Sequence, residues 1–294
     1  MSTFIPLRGS TPPGFAGSTL IYPQPSLASL AQLAADLLLW NAQGEWQLVG
    51  YLGLADFVPA VGGRDSLPGS SPPEGFAYGT EVYRLKAGDA DLTLVLPRAP
   101  VIVARRAHHL AALKDWVQKE GFKELLLVAG VDAGLRGDEA LMSTTPLRHF
   151  LLPSSSPSTL SQRLSTLFPP YVSTPSTSST ALPLFPHGGL TRKLLSAFSP
   201  SSEGQSGVNV AALTIYTAEG DALPSAYILA EALAAAVGLP LQGGEELEGK
   251  VEQLQLSEGE EQGPMQRQWK TPKSWERGLM GVELGRDVGA EMYG

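Results

Sequence analysis

The sequence contains no cysteine and few charged residues, and both shortages restrict what the protein can be. Without cysteine there is no disulfide framework and no thiolate metal site, which fits a reducing compartment. Only 17% of the residues are charged, against 43% that are hydrophobic. The chain therefore has enough apolar material for a core, and its composition is not that of a disordered protein.

Long apolar runs and a leader-like beginning are also missing. The apolar stretches are far shorter than the roughly 20 residues that cross a bilayer. The first residues, MSTFIPLRGSTPPGF, show no basic region followed by an apolar one, so we expect no signal peptide. The expectation is a soluble, intracellular protein without a membrane partner.

Positive charge is scarce as well. The net charge is −8, and the stretch from Glu245 to Glu261, with seven glutamates and one lysine, carries −6 of it. The remainder of the chain carries −2 and has no basic field that would attract nucleic acid. Nucleic acid is therefore not an expected partner.

The common catalytic motifs are absent. There is no G-x-S-x-G, no P-loop, no H-E-x-x-H and no G-x-G-x-x-G, so we predict no catalytic residue and no cofactor. Gly130, Gly134 and Gly137 follow an apolar run, but their spacing matches no nucleotide fingerprint and favours an ordinary exit from a strand.

The four histidines do not predict a metal site. His108 and His109 are adjacent on a predicted helix, so their side chains point about 100° apart and cannot chelate one ion together. No further ligands stand at a metal-site spacing from His149 or His187. A structural role is favoured for all four.

Apolar strands alternate with amphipathic helices along the chain. Helical spacing is clearest at 27–38, 103–119 and 224–237. The pattern predicts an α/β fold, a three-layer sandwich with a mostly parallel central sheet. The predicted strands are STLIYP, WQLVGYLGL, a hairpin of TEVYRL and DLTLVLP with its turn near Gly88-Asp89, KELLLVAGV and GVNVAALTIYTAEG.

Composition divides the chain into a single α/β domain with one insertion, an acidic linker and a C-terminal segment. The domain is predicted at 1–242, with a disordered Ser/Thr/Pro-rich insertion at about 153–183 that contains one short helix near 160–168. An acidic linker follows at 243–264. Residues 265–294 form a docking segment, in which Trp269 and Trp275 are expected to hold the chain onto the domain, and a flexible tail.

The stretch PHGGLTRKLL has two interpretations. Gly188 and Gly189 precede Thr191, a candidate N-cap, and predict a tight turn into a helix. The turn is either purely structural or an anion site made of backbone amides. The residues alone do not separate the two.

The chain ends in Met292, Tyr293 and Gly294. An apolar residue, a tyrosine and any last residue would come together by chance in roughly one per cent of sequences of this composition. Such an ending offers an aromatic plug and a terminal carboxylate to a receptor pocket that holds a lysine. The tripeptide is therefore a candidate partner-binding site.

Six further segments follow one another along the chain: QLAADLLL, VGYLGLADFVPAVG, STTPLRHFLLP, GGLTRKLL, EGDALPSAYILAEAL and WKTPKSW. Taken together and in this order, they resemble the eukaryotic proteasome assembly chaperone 2 family, and the chain is identified as a member of fungal type. In two places where that family is expected to have glycine, near the first helix, this sequence has Ala28 and Ala31.

The resemblance implies a non-catalytic chaperone with a phosphorylase-like fold, located in the cytoplasm and nucleus. It implies a heterodimer with proteasome assembly chaperone 1 that binds proteasome α subunits and promotes core-particle assembly. It further implies that a tail of the form hydrophobic–Tyr–any, here Met292-Tyr293-Gly294, enters a pocket between α subunits. Two alternatives remain: an α/β enzyme or binding protein for a phosphate- or nucleoside-containing small molecule, and a scaffold with an incidental tail.

Overall fold

A computed structural model describes most of the chain. The described residues are 4–9, 14–65, 67, 76–87, 90–154, 157–172, 182–199, 207–220, 222–242 and 269–276. The terminal tripeptide, the acidic linker 243–264 and residues 173–181 of the predicted insertion lie outside them.

An eight-stranded sheet forms the centre of the molecule, in the order β1-β3-β6-β7-β2-β8-β10-β9, and β4 and β5 form a separate two-stranded hairpin. The strands are β1 (Phe4–Pro6), β2 (Thr19–Pro23), β3 (Gln47–Leu52), β4 (Val61–Gly63), β5 (Phe76–Tyr78), β6 (Thr80–Ala87), β7 (Ala90–Pro97), β8 (Glu124–Asp132), β9 (Leu147–Leu151) and β10 (Asn209–Thr217).

The sheet is mixed. Strands β7, β2, β8 and β10 are parallel neighbours at its centre, whereas β1, β3, β6 and β9 join antiparallel. The α/β class is thus confirmed, and parallel pairing is confined to the central four strands. The β6–β7 pair is antiparallel because a two-residue connection can join only antiparallel strands.

Helices cover both faces of the sheet. The longer ones are α1 (Leu30–Asn41), α2 (Arg106–Lys119), α4 (Thr159–Leu167), α5 (Thr191–Phe198) and α6 (Leu223–Val237), and the four-residue helices are α3 (Asp138–Leu141) and α7 (Lys273–Glu276). One core cluster joins α1, α4 and α6 to the sheet, and a second joins α2 and α5 to the opposite face. This is a three-layer arrangement; its likeness to phosphorylase-like domains stays a prediction.

Helix α6 shows how local residues set the bounds of an element. Pro224 lies in the first turn, where the missing N–H costs nothing, and Gly238 ends the helix at φ 68°. Between these ends, alanine and leucine side chains are buried where α6 packs closely against α1. No helix among the described residues has the length and apolarity to span a membrane.

Part of the predicted insertion is ordered. Helix α4 begins with a capping box in which Ser158 and Ser161 satisfy each other's backbone amides. Leu160, Leu164 and Phe168 are buried against the sheet and α6. The short helix expected near 160–168 is thus confirmed as α4. The disorder expected from 153 to 183 does not describe residues 157–172, because three apolar side chains at helical spacing supply enough burial to order them.

Candidate functional site

The last described segment, residues 269–276, packs onto the α/β domain. Trp275 is 5% exposed and belongs to the core cluster around α1 and α6. The ring of Trp269 stacks on Tyr227 of α6, with ring centroids 5.4 Å apart. Both tryptophans thus hold the root of the C-terminal tail against the domain.

Hydrogen bonds also fix the position of the same segment on the domain. The side chain of Asn41, at the end of α1, donates to the Lys270 carbonyl and accepts from the Lys270 N–H, each at 2.8 Å. Asp65 accepts from the N–H of Ser274 at 3.1 Å and from its hydroxyl at 2.6 Å. Asn41 is buried and its amide group also donates to the Leu37 carbonyl, so the segment supplies its remaining hydrogen-bond partners.

A cleft of about 290 Å³ lies between this segment and the β4–β5 hairpin. Its floor is a network of ion pairs. Glu81, fully buried, accepts from Arg64 and Arg98, and Arg98 also contacts both carboxylate oxygens of Asp36 at 2.7 Å. Burial raises the pKa of Asp36, and the Arg98 guanidinium opposes that shift. With Asp65 at the rim, the cleft has three carboxylates and two guanidinium groups.

Apolar side chains of the hairpin are exposed beside this cleft. Val61 is opposite Tyr78 and Gly63 is opposite Phe76, so these residues share one face. The exposed fractions are 66% for Val61, 58% for Phe76 and 37% for Tyr78. Sequence reasoning did not find this surface, because three-residue strands are too short to show a period.

The tripeptide Met292-Tyr293-Gly294 lies outside the described residues, but the point from which it departs is defined. Eighteen residues follow Glu276, which ends α7 two residues after Ser274, a residue that lines the cleft. A chain of that length reaches at most about 60 Å. The root of the tail is thus fixed to the domain, and its end has a wide but bounded range.

The predicted turn at Gly188, Gly189 and Thr191 forms in the structure. Gly189 has φ 64°, and a Cβ atom there would lie 2.4 Å from the Pro25 carbonyl oxygen. Thr191 is the first residue of α5, preceded by Leu190 at the N-cap position, so the prediction of Thr191 as N-cap is wrong. Its hydroxyl donates to the Gly188 carbonyl at 2.6 Å, because the tight turn brings that oxygen within reach.

The turn is joined to the loop that precedes α1. The carbonyl of His187 accepts from the N–H of Leu27 at 3.0 Å. His187, Ala28 and Ser29 all have positive φ, at 56°, 55° and 52°. Ala28 therefore has the left-handed conformation that suits glycine. The amide of Gly188 donates to the Phe185 carbonyl at 3.0 Å, and that of Thr191 to the Gly188 carbonyl at 3.3 Å.

A separate buried cluster surrounds His109. Its Nε2 lies 2.8 Å from the Tyr22 hydroxyl, and its Nδ1 lies 3.8 Å from Asp56. Burial lowers the pKa of His109 to about 4, although Asp56 opposes the shift. Asp56 also accepts from Arg105 and contacts His108, both at the surface. Among the described residues no histidine or acidic cluster has the arrangement of a metal site.

Comparison with known proteins gives relatives along most of the chain. No family model matches it. A zebrafish (Danio rerio) protein named proteasome assembly chaperone 2 is 28% identical over 272 residues, which is 91% of this chain and 93% of the relative. A mouse (Mus musculus) protein of the same name is 26% identical and covers 92% and 95%. In a sea anemone (Nematostella vectensis), the protein of that name is 27% identical and covers 73% and 87%.

Solved structures share the fold at lower identity. PbaA of Pyrococcus furiosus, described as an archaeal homolog of proteasome-assembly chaperone, aligns with a TM-score of 0.50 at 17% identity, over 83% of this chain and 92% of its own. PbaB of the same organism, described as an archaeal proteasome activator, has a TM-score of 0.51 at 17% identity, over 82% and 91%. The resemblance found in the six sequence segments is thus confirmed; fungal type stays a prediction, since the relatives named above are animal proteins.

Proposed function

We propose that this chain, a relative of proteins named proteasome assembly chaperone 2, is a non-catalytic subunit of a proteasome assembly chaperone. It acts as a heterodimer with proteasome assembly chaperone 1, binds proteasome α subunits and promotes α-ring and core-particle assembly in the cytoplasm and nucleus. The observation that carries the proposal is sequence similarity over 91% of the chain to the zebrafish protein.

The terminal tripeptide is the proposed plug. The Tyr293 ring fills the mouth of a pocket between α subunits, and the Gly294 carboxylate pairs with a lysine at its base. The docked segment 269–276 supports this, because it fixes the root of the tail to the domain. A tethered plug has a high effective concentration, so it adds affinity to whatever the domain surface contributes.

The small-molecule alternative has less support. It needs free amides at the Gly188-Gly189 turn, and the amides of Gly188 and Thr191 already donate to the carbonyls of Phe185 and Gly188. A thermal-shift screen with inorganic phosphate and nucleosides would revive it if either raised the melting temperature.

The test is capture of α-ring intermediates by the co-expressed heterodimer. A chain ending at Glu291 is compared with the intact chain, with Val288→Ala as a control that keeps the terminal tripeptide. Loss of α subunits with the shortened chain alone supports the plug. Capture that persists places the affinity on the domain surface, and absence of α subunits from both samples would contradict the chaperone function itself.

A further inference from the structure

An apolar surface extends over the β4–β5 hairpin and the loop that leads into it. Residues 58–63, Val-Pro-Ala-Val-Gly-Gly, are all exposed and include no polar side chain. Phe76 and Tyr78 of β5 lie opposite Gly63 and Val61 and are exposed as well. Exposed apolar side chains that adjoin one another in this way mark a binding surface more often than isolated ones do.

Backbone contacts join this surface to the loop that precedes α2. The N–H of Val58 donates to the Pro100 carbonyl at 3.0 Å, and the N–H of Ile102 donates to the Asp56 carbonyl at 2.8 Å. Val58 is 43% exposed, and Val103, the next residue of the second loop, is 71% exposed. We call the exposed apolar residues of the two loops and the hairpin the loop–hairpin surface: Val58, Val61, Phe76, Tyr78, Pro100 and Val103.

Arg64 and Arg98 border the loop–hairpin surface beside the hairpin. Arg64 donates to the Phe76 carbonyl at 2.7 Å, and the backbone N–H of Arg98 donates to the Gly79 carbonyl at 2.9 Å. Both side chains also donate to Glu81, which is fully buried. The carboxylate is thus hidden below the surface, whereas the two arginine side chains remain 17% and 30% exposed.

Arg105 repeats this arrangement near Val103. Its side chain is 42% exposed and pairs with Asp56, whose side chain is 2% exposed. One terminal nitrogen of each arginine has no hydrogen-bond acceptor among the described residues: Nη1 of Arg64, Nη2 of Arg98 and Nη1 of Arg105. The rim therefore offers three cationic donors that are already held in position, so binding a carboxylate costs them little side-chain freedom.

The charge of this rim favours one kind of occupant. Asp65, the carboxylate at the edge of the surface, already accepts two hydrogen bonds from Ser274, so the donors left without a partner are cationic. A second copy of the chain would bring guanidinium groups against guanidinium groups, because an isologous dimer pairs the same surface with itself. A different chain, with an apolar face bordered by carboxylates, avoids this repulsion and satisfies the donors.

We propose that the loop–hairpin surface binds the partner subunit of the heterodimer, through an apolar face of that subunit with an acidic rim. The identity of the partner rests on the proposed function. The surface has the composition of a stable interface, with uncharged aliphatic and aromatic side chains at its centre and arginines around them. Tyr78 needs little ordering on binding, since its ring contacts Tyr51 edge-on with centroids 5.1 Å apart.

The experiment measures the affinity of the purified chain for purified proteasome assembly chaperone 1 by titration calorimetry. The double substitution Val61→Ser and Phe76→Ser should weaken binding at least about tenfold, because both side chains are exposed in the free chain and buried in the complex. The matched control is Leu141→Ser with Met142→Ser, which changes two other exposed apolar residues, 54% and 87% exposed, and should leave the affinity unchanged.

A pair of opposite charges at Ala104 tests the acidic rim of the partner. Ala104 is exposed and precedes Arg105. Ala104→Glu should bind about fivefold more weakly than Ala104→Lys at low salt, and the difference should shrink at high salt, because charges at a rim are screened. Equal affinities of the two variants at low salt, or tighter binding by Ala104→Glu, would contradict the acidic rim.

Hydrogen exchange of the unsubstituted complex gives a second measurement. The amides of 58–63 and 76–78 should exchange at least about tenfold more slowly in the complex than in the free chain. Unchanged exchange there, or full affinity of the Val61→Ser, Phe76→Ser variant, would overturn the surface assignment and leave the heterodimer intact. Failure of the intact chain to bind would contradict the heterodimer itself, and with it this occupant. A homodimer in light scattering that the variant abolishes would assign the surface to a second copy instead.

Discussion

At the scale of single residues, Asp56 connects parts of the chain that the sequence keeps apart. Its carboxylate lies 2.9 Å from His108 and 3.8 Å from His109, although adjacent helical side chains diverge. Both contact Asp56 because His108 reaches it from the surface, whereas His109 reaches it from the core, where its exposed fraction is 2%. Sequence spacing predicted that the two histidine side chains diverge. It did not predict that both would contact the carboxylate of Asp56, which lies in another part of the chain.

Replacing His109 is expected to change how stability depends on pH. The pKa of His109 is about 4 in the folded protein, below its value of 6.5 when exposed. The unfolded state therefore binds more protons between pH 6.5 and pH 4, and acidification through this window destabilises the fold. From pH 7 to pH 4.5 the loss attributable to His109 is roughly 2–3 kcal/mol.

Urea unfolding at the two pH values measures this effect. His109→Gln should lose that part of the slope, whereas the control His108→Gln should keep it. Asp36, whose pKa burial raises, contributes stability at low pH that is lost as pH rises. This contribution is common to both variants and cancels in the comparison. Parallel pH profiles for the two variants would contradict the assignment.

At the scale of elements, periodicity predicted the longer segments well. The helix expected at 224–237 is Leu223–Val237, and the hairpin expected from TEVYRL and DLTLVLP is β6 with β7. The helix expected at 103–119 begins with a 3₁₀ turn at Val103 before α2. Strands β1, β4 and β5 were missed because three residues show no period and depend on partners elsewhere in the chain.

The turn before α5 is expected to be intolerant of a side chain at Gly189. Gly189→Ala would place a Cβ atom against the Pro25 carbonyl in a left-handed conformation, and should lower the free energy of unfolding by about 2 kcal/mol or more. Gly207→Ala is the control, because Gly207 has no positive φ and no heavy atom within 4 Å of the added Cβ. Its effect should stay within about 0.5 kcal/mol in the same urea titration. Equal losses of stability at both positions would contradict this prediction, and would show that the Pro25 loop moves to accommodate the added Cβ atom.

At the scale of the whole molecule, the C-terminal segment completes the layer of α1 and α6. The Asn41–Lys270 contact joins residues 229 apart in sequence, and Trp275 fills a core position. The sequence predicted that the tryptophans dock the chain, since two such residues near a terminus seldom remain in solvent. It did not predict the place, because nothing local in WKTPKSW specifies Asn41 as its partner.

Truncation separates the docked segment from the tail. A chain ending at Glu276 should unfold at the same urea concentration as the full chain. A chain ending at Gln242 should lose about 3 kcal/mol or more, since it removes a buried tryptophan and leaves the Asn41 amide without its Lys270 partners. The variant Trp275→Ala in the full chain provides a second route to the same loss. Indistinguishable midpoints for the two truncations would mean that the segment adds no stability.

What the sequence by itself determined was local: the absence of thiol chemistry, the bounds of long periodic elements, the glycine turn and the order of six motifs. The tertiary structure decided the strand order, the mixed pairing of the sheet, the ion pairs that line the cleft and the exposed apolar face of the β4–β5 hairpin. The physical reason is the range of the interactions. Periodicity and capping act within a few residues, whereas the pairings that create the cleft join Asp36 to Arg98 and Asp65 to Ser274, and only the folded chain brings them together.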